Sequence, residues 1–255
     1  MQSESLHICF DIVIPPEFAH SAIREAINEN PANRKLPTSP FEAAAIRSKL
    51  WRPGRTLRVC FLDGHPDVWR RVEPYAHQWS EYANITLDFV DDPIAEIRIS
   101  FAYNGSWSAV GTDALVREYF KPHQPTMNFG WLHQGVAEKE YQRVVLHEFG
   151  HALGLIHEHQ NPDGGICWDE QKVLRAYAGP PNYWDEATIR HNILDHYNVD
   201  QTQFTAFDPN SIMLYAFPAE LTLDGRGTTS NFALSATDKT FIAQLYPRDT
   251  ANSGA

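Results

Sequence analysis

The sequence has little positive charge, few cysteines and no long hydrophobic run. Its 255 residues include 21 Lys and Arg against 32 Asp and Glu, which gives a formal net charge of −11. A chain with this acidic excess is poorly suited to neutralising a run of phosphates, so we expect no nucleic-acid partner. The longest apolar runs, such as Ile8–Ile14 with Asp11 in its middle, fall well short of the ~20 residues that a membrane-spanning helix needs. We therefore expect no membrane span either.

Cysteine is scarce enough to argue against a disulfide framework. The chain has three, Cys9, Cys60 and Cys167, and three cysteines can form at most one bridge. Their wide spacing favours reduced thiols that pack as small hydrophobic side chains. The first seven residues lack the basic and apolar segments of a secretory signal. The compartment stays open, because a secreted chain whose signal had been trimmed would begin in the same way.

The rest of the composition is typical of a globular protein. With 43% hydrophobic and 21% charged residues over this length, the chain can build a substantial core. Several prolines punctuate residues 15–40, around a short predicted helix near Glu17–Asn30. We interpret residues 1–50 as an N-terminal extension or a pro-segment-like cover, and residues 51–255 as the main domain.

Hydrophobic periodicity predicts the order of secondary structure in the main domain. Alternating apolar residues predict strands at Thr56–Leu62, Ile85–Val90, Ala95–Phe101 and Pro125–Leu132. Helical spacing and end signals predict helices at Pro66–Tyr82, at Tyr141–Leu153 with its stop at Gly154, and from the N-cap pattern Ser235–Asp238 to about Leu245. The segments after the central helix are rich in proline and glycine. The order predicts an α+β fold with a mostly β first half, one central helix and a loop-rich second half.

The central helix carries the pattern His147-Glu148-x-x-His151, and Gly154 and His157 follow at fixed offsets. Residues four apart lie about 40° apart around a helix, so the two imidazoles project from one face and can chelate zinc. Gly154 permits a sharp turn that returns His157 as a third ligand. Three protein ligands leave one position for water, which is typical of a catalytic rather than a structural zinc site. Glu148 is placed to reach that water as a general base.

A helix with solvent-facing histidines is the competing interpretation of this pattern. It does not explain why Gly154 and His157 stand at the offsets that a third ligand requires. Among the other histidines, we interpret His159 as a residue beside the site or on the surface. His191 and His196 lie five apart, off a shared helical face, and we interpret both as solvated. The sequence therefore predicts one metal centre.

The segment His147–His157 resembles the long zinc motif of the metzincin metalloproteases, and Glu158 directly after it is the residue that marks the astacin family. The stretch Ser211-Ile212-Met213-Leu214-Tyr215 is similar to the Met-turn of that family. The resemblance covers roughly residues 51–250. It implies a metzincin-type zincin with a twisted mixed sheet, a central active-site helix and a loop-rich C-terminal half ending in a helix. The upper half would extend to about residue 157 and the lower half over residues 158–250.

This resemblance implies a zinc-dependent endopeptidase with one Zn²⁺ per chain. Met213 would form a hydrophobic base beneath the metal. Tyr215 would be a switchable fifth ligand that leaves the metal when substrate binds and donates to the oxyanion. The open edge of a strand before the active helix would bind an extended peptide by backbone pairing. We expect a peptide or protein substrate and a monomeric enzyme.

The chain also departs from the family pattern. Animal astacins continue after the glutamate with an Arg-bearing segment, whereas this chain has residues 159–163, His-Gln-Asn-Pro-Asp. The family's paired disulfides cannot form with these three cysteines, and no zinc-blocking pro-segment of the family's kind is recognisable. These features are typical of a divergent microbial member.

Two alternative functions remain, a non-catalytic zinc-containing protein-binding module and a zinc hydrolase acting on non-peptide amides. The presence of Glu148 favours an enzyme, because a binding module needs no general base.

Overall fold

The computed structural model describes residues 9–12, 14–34, 49–161, 164–180, 182–196 and 205–248. The strands in chain order are β1 (Phe10–Asp11), β2 (Arg55–Phe61), β3 (Ile85–Phe89), β4 (Ile97–Ser100), β5 (Ser106–Ser108) and β6 (Met127–Phe129). The helices are α1 (Ala19–Glu29), α2 (Pro66–Tyr82), α3 (Glu138–Ala152), α4 (Glu170–Ala178), α5 (Glu186–Ile189), which continues into a π-helical turn, and α6 (Ala236–Leu245). The predicted boundary near residue 50 follows a stretch, residues 35–48, that lies outside the described residues.

The strands of the described residues form one six-stranded mixed sheet in the order β1-β5-β6-β4-β2-β3. Strands β3, β2, β4 and β6 are parallel to one another, while β5 runs antiparallel to β6. Strand β1 runs parallel to β5 on its outer side, with Phe10 opposite Trp107 and Asp11 opposite Ser108. The N-terminal segment therefore supplies an edge strand to the sheet of the main domain.

The structure confirms the α+β class and the main predicted elements, with small shifts at their ends. Helix α3 begins at Glu138, three residues before the predicted Tyr141. Helices α4 and α5, in the half expected to be rich in loops, were not predicted, and neither were two strands. All three residues of β5 are buried, so its sequence shows no alternation, and β1 has only two residues. Such short strands are recognisable only through their pairing partners.

Helix α3 is held in the core by indole hydrogen bonds from two tryptophans. Trp79 on α2 donates to the carbonyl of Leu146 at 2.9 Å, and Trp51 donates to the carbonyl of Ala152 at 2.8 Å. Both indoles are fully buried. Ala152 is the last residue of α3, so the bond from Trp51 satisfies a buried carbonyl that has no partner within the helix. The bond from Trp79 to Leu146, in the helix interior, fixes α3 against α2.

Helix α1 is docked on the main domain through buried asparagines that follow it. The amide of Asn33 donates to the carbonyls of Ala26 and Leu50, each at 2.9 Å, and accepts from the Leu50 amide. Asn30 donates to the carbonyl of Trp51 at 3.0 Å.

All three cysteines are free thiols, two of them buried and Cys167 exposed. None of the helices in the described ranges is long and apolar enough to cross a membrane.

Candidate metal centre

Helix α3 and the turn after it bring three imidazole nitrogens to one point. The Nε2 atom of His151 lies 3.1 Å from that of His147 and 3.0 Å from that of His157. Gly154 has a φ of +92°, the left-handed conformation that ends the helix and returns the chain toward His157. All three histidines are buried. The spacing predicted from the sequence motif is therefore realised in three dimensions.

The other ring nitrogen of each histidine has an oxygen acceptor. Nδ1 of His147 donates to the Ile212 carbonyl and Nδ1 of His151 to the Leu155 carbonyl, both at 2.9 Å. Nδ1 of His157 lies 3.3 Å from Oε1 of Gln160, whose amide nitrogen donates to the backbone carbonyls of residues 191 and 195. A carbonyl oxygen cannot donate, so each Nδ1 carries the proton and each Nε2 presents its lone pair inward. This is the tautomer that a metal requires.

The electrostatics of the pocket keep the imidazoles of His147 and His157 neutral. Burial, reinforced by the neighbouring His151, lowers the pKa of His147 and of His157 well below the ordinary value for histidine. The carbonyl of Ile212 opposes the shift at His147 without overcoming it. Neutral imidazoles keep their lone pairs available at neutral pH. The donor set, three Nε2 atoms that face one another while each Nδ1 has an acceptor, therefore fits one zinc ion held by His147, His151 and His157.

Glu148 and the N-terminal Cys9 lie beside this cluster. A carboxylate oxygen of Glu148, the Cys9 sulfur and a ring nitrogen of His147 lie within 4.8 Å of one another. All three side chains are buried. Burial raises the pKa of the Cys9 thiol well above its ordinary value, the negative charge of Glu148 raises it further, and the guanidinium of Arg143 opposes both. Residues 9–12 thus reach the site from the far end of the chain.

Met213 packs under the metal-binding turn of α3. A Cβ atom on Gly150 would lie 2.4 Å from the Met213 sulfur, so the thioether touches the helix backbone between the two α3 histidines. The turn that carries Met213 is held by Asp238 at the start of α6. That carboxylate accepts from the Ser211 hydroxyl at 2.7 Å and from the Ile212 amide at 2.9 Å. Through the Ile212 carbonyl, the same turn orients His147.

Tyr215 projects from this turn into the cluster. Its phenol oxygen contacts Nε2 of His157 and donates to the carbonyl of Cys9 at 2.8 Å. Its ring stacks on His147, with ring centroids 5.1 Å apart. The phenol oxygen therefore lies at the nitrogen cluster, where a ligand or an oxyanion donor would have to be.

Glu158 and His159 continue the chain from the third histidine into the lower half. Oε1 of Glu158 accepts from the Asp208 amide at 2.8 Å and from Asn161 at 3.1 Å, while burial raises the pKa of this carboxyl to about 7. His159 is not on the surface, which was one of the two sequence interpretations. It is buried beside His157, its Nε2 donates to the Asn192 carbonyl at 2.8 Å, and burial lowers its pKa to about 3. The other interpretation, a position beside the site, is correct.

Three residues of the site were missed at the sequence level. Gln160 and Gly150 lie within or next to the motif, but their roles depend on partners that are distant in sequence. Cys9 is 138 positions before His147 (147 − 9 = 138) and was interpreted only as a packed thiol. We expected the edge of a strand before the active helix to be open. In the structure, β1 pairs along the outer edge of β5, so that edge is occupied. In the sequence, the only signal for the contact of Cys9 with the histidine cluster was a single cysteine next to an apolar stretch.

Solved structures include close relatives of the chain. The structure of myroilysin is 44% identical, with a TM-score of 0.75, and the match covers 79% of this chain and 97% of that one. A crystal structure of myroilysin is 38% identical, with a TM-score of 0.64, over 96% of this chain and 93% of that one. High choriolytic enzyme 1, a hatching enzyme zinc-protease from the medaka fish Oryzias latipes, shares the fold at 19% identity, with a TM-score of 0.50 over 80% of this chain and 98% of that one. No protein-family profile and no curated protein matches the chain.

Proposed function

Since the chain belongs to the astacin family of zinc metalloproteases, it is a zinc metalloendopeptidase, and we propose that Glu148 is its general base and Tyr215 its oxyanion donor. One observation carries the proposal. The Nε2 atom of His151 lies within 3.1 Å of the Nε2 atoms of His147 and His157, and a Glu148 oxygen lies within 4.8 Å of a His147 ring nitrogen without belonging to the three-nitrogen set.

The proton transfers follow from the position of Glu148. Zinc, when bound, lowers the pKa of water and polarises the scissile carbonyl, so that a nucleophile is available at neutral pH. The Glu148 carboxylate takes the proton of the attacking water and then delivers it to the leaving amine nitrogen, as base and then as acid. Its burial excludes bulk solvent, which strengthens this interaction relative to water.

Tyr215 is the proposed donor to the oxyanion that forms on the substrate carbonyl. As the carbonyl carbon becomes tetrahedral, its oxygen gains negative charge, and a fixed donor stabilises that charge more than it stabilises the ground state. The Tyr215 phenol lies against His157 and already donates to a carbonyl oxygen, that of Cys9. The stacked ring of His147 restricts its motion. A substrate carbonyl in the place of the Cys9 carbonyl would receive the same hydrogen bond.

Strand β5 is the proposed docking edge for the substrate backbone. An extended peptide can add a strand to a sheet edge through main-chain hydrogen bonds, which accept many sequences. The β1–β5 pairing shows that the outer edge of β5 accepts an extended segment whose carbonyl reaches Tyr215. This geometry favours cleavage within a chain over removal of single terminal residues.

The test is peptide-library cleavage by the zinc-loaded full chain, read by mass spectrometry with and without a chelator. We expect internal cleavage that the chelator abolishes. Glu148→Gln should keep the zinc, measured by elemental analysis, and lose about 10²–10⁴ in turnover. Glu186→Gln on the exposed side of α5 is the matched control and should leave turnover unchanged. Activity of Glu148→Gln within a few-fold of wild type would remove Glu148 as the base.

The ligand assignment has its own test. His151→Ala removes the central nitrogen of the cluster and should lose the zinc, while His133→Ala, an exposed histidine, should retain it. Full zinc occupancy in His151→Ala would contradict the three-histidine site.

A further inference from the structure

The loop that leads into β5 carries an exposed aromatic side chain on a fixed backbone. Tyr103 lies between β4 and β5, in residues 101–105, and is 52% exposed. Among the described Phe, Tyr and Trp side chains, only Tyr183 is more exposed, at 72%. A single exposed ring needs no explanation by itself. The backbone that carries Tyr103, however, is held in place by buried groups of the neighbouring strand.

A buried asparagine on β6 binds this loop. Asn128 is fully buried, and its amide nitrogen donates to the carbonyls of Tyr103 at 2.9 Å and of Gly105 at 2.6 Å. Its side-chain oxygen accepts from the Tyr103 amide at 3.3 Å. Both donors of the side chain and its acceptor are thus used on the loop backbone. A buried amide that is satisfied in this way fixes the segment that satisfies it.

Close packing against Gly130 also fixes the loop. The Gly130 amide donates to the Gly105 carbonyl at 2.9 Å. An ideal Cβ on Gly130 would lie 2.3 Å from the Tyr103 oxygen and 2.4 Å from the Gly105 oxygen, so β6 approaches the loop as closely as a glycine allows. The Tyr103 side chain is therefore presented to solvent from a backbone that β6 holds at several points.

The register of the sheet places this loop next to the metal centre. Phe10 lies opposite Trp107 in a parallel pair, so Cys9, one residue earlier, is level with Ser106, the first residue of β5. The Cys9 sulfur lies within 4.8 Å of a His147 ring nitrogen. The edge of β5 therefore passes the metal centre at Ser106, and the Tyr103 loop directly precedes that point.

A substrate that pairs with β5 in the place of β1 must have its scissile bond at the metal centre, level with Ser106. Three residues of chain separate Ser106 from Tyr103, so their Cα atoms are at most about 11 Å apart. An extended peptide advances about 3.3 Å per residue. The Tyr103 ring is therefore within reach of substrate residues that lie no more than about three positions from the scissile bond.

The surroundings of the ring determine which side chains it can bind. The ring of Tyr103 meets that of Trp107 at 66°, with centroids 6.2 Å apart, the edge-on arrangement that aromatic pairs favour. Residues 101–105 are Phe-Ala-Tyr-Asn-Gly and carry no charge. The loop thus offers apolar aromatic surface and no partner for a charged substrate side chain.

We propose that Tyr103 is a specificity-determining residue that packs on an apolar or aromatic side chain of the substrate close to the scissile bond, and that Asn128 is the residue that positions it. The proposal rests on the proposed function, because it takes β5 as the docking edge. The contact removes apolar surface of both partners from water, which favours apolar over charged substrate residues. It lies away from the reacting atoms, so it stabilises the bound substrate and the transition state alike and lowers KM with little effect on kcat.

Peptide-library cleavage by the zinc-loaded full chain tests the contact. The wild type should prefer apolar or aromatic residues at a position within three residues of the scissile bond. Tyr103→Ser should reduce that preference by about fivefold and raise KM for the preferred peptide by a similar factor, at constant kcat. Since Asn128 binds the backbone of residue 103, this variant keeps the bonds that hold the loop.

Two control variants separate the ring from other effects. Tyr103→Phe keeps the aromatic surface and should remain within about twofold of wild type in KM. Tyr183→Ser removes the other exposed tyrosine, in the segment between α4 and α5, and should leave both the preference and KM unchanged.

A double-mutant cycle tests the positioning role of Asn128. Asn128→Leu should raise KM in the wild-type background and add little in the Tyr103→Ser background, because the ring that it positions is then absent. A purely structural effect would be the same in both backgrounds and would overturn the role of Asn128. If Asn128→Leu does not fold, Gly130→Ala, which pushes a Cβ against the same loop carbonyls, takes its place in the cycle.

The outcomes distinguish this inference from the proposed function. Internal cleavage by Tyr103→Ser with the wild-type preference and KM would overturn the role of Tyr103 and leave the proposed function standing. A wild type that cleaves peptides without any apolar preference near the scissile bond would do the same. A zinc-loaded wild type that cleaves no peptide would contradict the proposed function, and with it the inference that rests on it.

Discussion

The sulfur of Met213 lies where the first side-chain atom of residue 150 would stand, 2.4 Å from an ideal Cβ on Gly150. Gly150 sits on α3 between Glu148 and His151, in the middle of the metal-binding turn. The contact lets the Met-turn press directly on the helix backbone, and it connects two segments that are 63 residues apart (213 − 150 = 63). A glycine that would ordinarily weaken a helix is required here by close approach.

Gly150→Ala should therefore destabilise the protein by about 1–3 kcal/mol through overpacking. At a helix position with free space around it, Gly→Ala would stabilise the helix by about 1 kcal/mol. The contact with Met213 therefore changes the expected effect of the substitution from stabilising to destabilising. The free energy of unfolding in urea, measured on zinc-free protein, gives the size of this destabilisation. In a Met213→Ala background most of the penalty should disappear, with the 3.2 Å approach to Trp79 remaining, and Gly179→Ala, which meets no atom within 3.7 Å, is the control. Equal penalties in both backgrounds would show that Met213 is not the obstacle.

Gln160→Leu should weaken zinc binding by about 10–100-fold, because the His157 tautomer loses its acceptor. Competition with a chromogenic chelator measures the affinity. Gln160→Glu keeps an acceptor for Nδ1 but loses the amide donors to the carbonyls of residues 191 and 195, so it should retain zinc affinity while losing stability. Gln171→Leu, on the exposed side of α4, is the control. Unchanged affinity in Gln160→Leu would remove this residue from the metal site.

Tyr215→Phe should lower kcat by about 10²–10³ with little change in KM, since an oxyanion donor acts mainly in the transition state. Steady-state kinetics on a quenched peptide, with zinc content measured on the same sample, gives kcat and KM for the variant and the wild type. Tyr177→Phe changes another buried tyrosine of the lower half and serves as the control. A kcat within about threefold of the wild type would exclude Tyr215 from the mechanism.

Glu96→Gln should make stability less dependent on pH. Burial alone would raise the pKa of Glu96, but hydrogen bonds from Arg58 outweigh burial and hold the pKa below its ordinary value of 4.5. A carboxyl with a lowered folded-state pKa stabilises the fold above about pH 4.5 and loses that contribution as pH falls through the folded pKa. At pH 7 the free energy of unfolding of the wild type should exceed that of Glu96→Gln by about 1–2 kcal/mol. This range is reduced because Arg58 is partly exposed and solvent screens its charge.

The check is urea unfolding of zinc-free protein between pH 7 and pH 3. The difference between wild type and Glu96→Gln should shrink as pH falls. Glu81→Gln, on the exposed side of α2, should follow the wild type throughout. A difference that stayed constant over this range would show that the ion pair does not contribute through the charge of Glu96.

Local patterns predicted helices α1, α2, α3 and α6, because their signals are contained in consecutive residues, but α4 and α5 lie in the half that was expected to be rich in loops. Helix α2 has the predicted ends, and the Ser235–Asp238 capping box opens α6 as expected. The three zinc ligands were also predictable, since helix geometry and the Gly154 turn bring His147, His151 and His157 together within eleven residues. Strands β1 and β5 were not, because each is defined by the strand it pairs with.

The sequence by itself determined the grouping of the three histidines, the carboxylate beside them and the α+β order of elements, since these depend on spacing along the chain and on local backbone preference. Only the tertiary structure decided what surrounds the metal. The contacts of Gly150 with Met213, of His147 with the Ile212 carbonyl and of Cys9 with Tyr215 join segments separated by 63, 65 and 206 positions. No periodicity or spacing rule links such positions, because their proximity results from the packing of the whole sheet against α3 and from the pairing of β1 with β5.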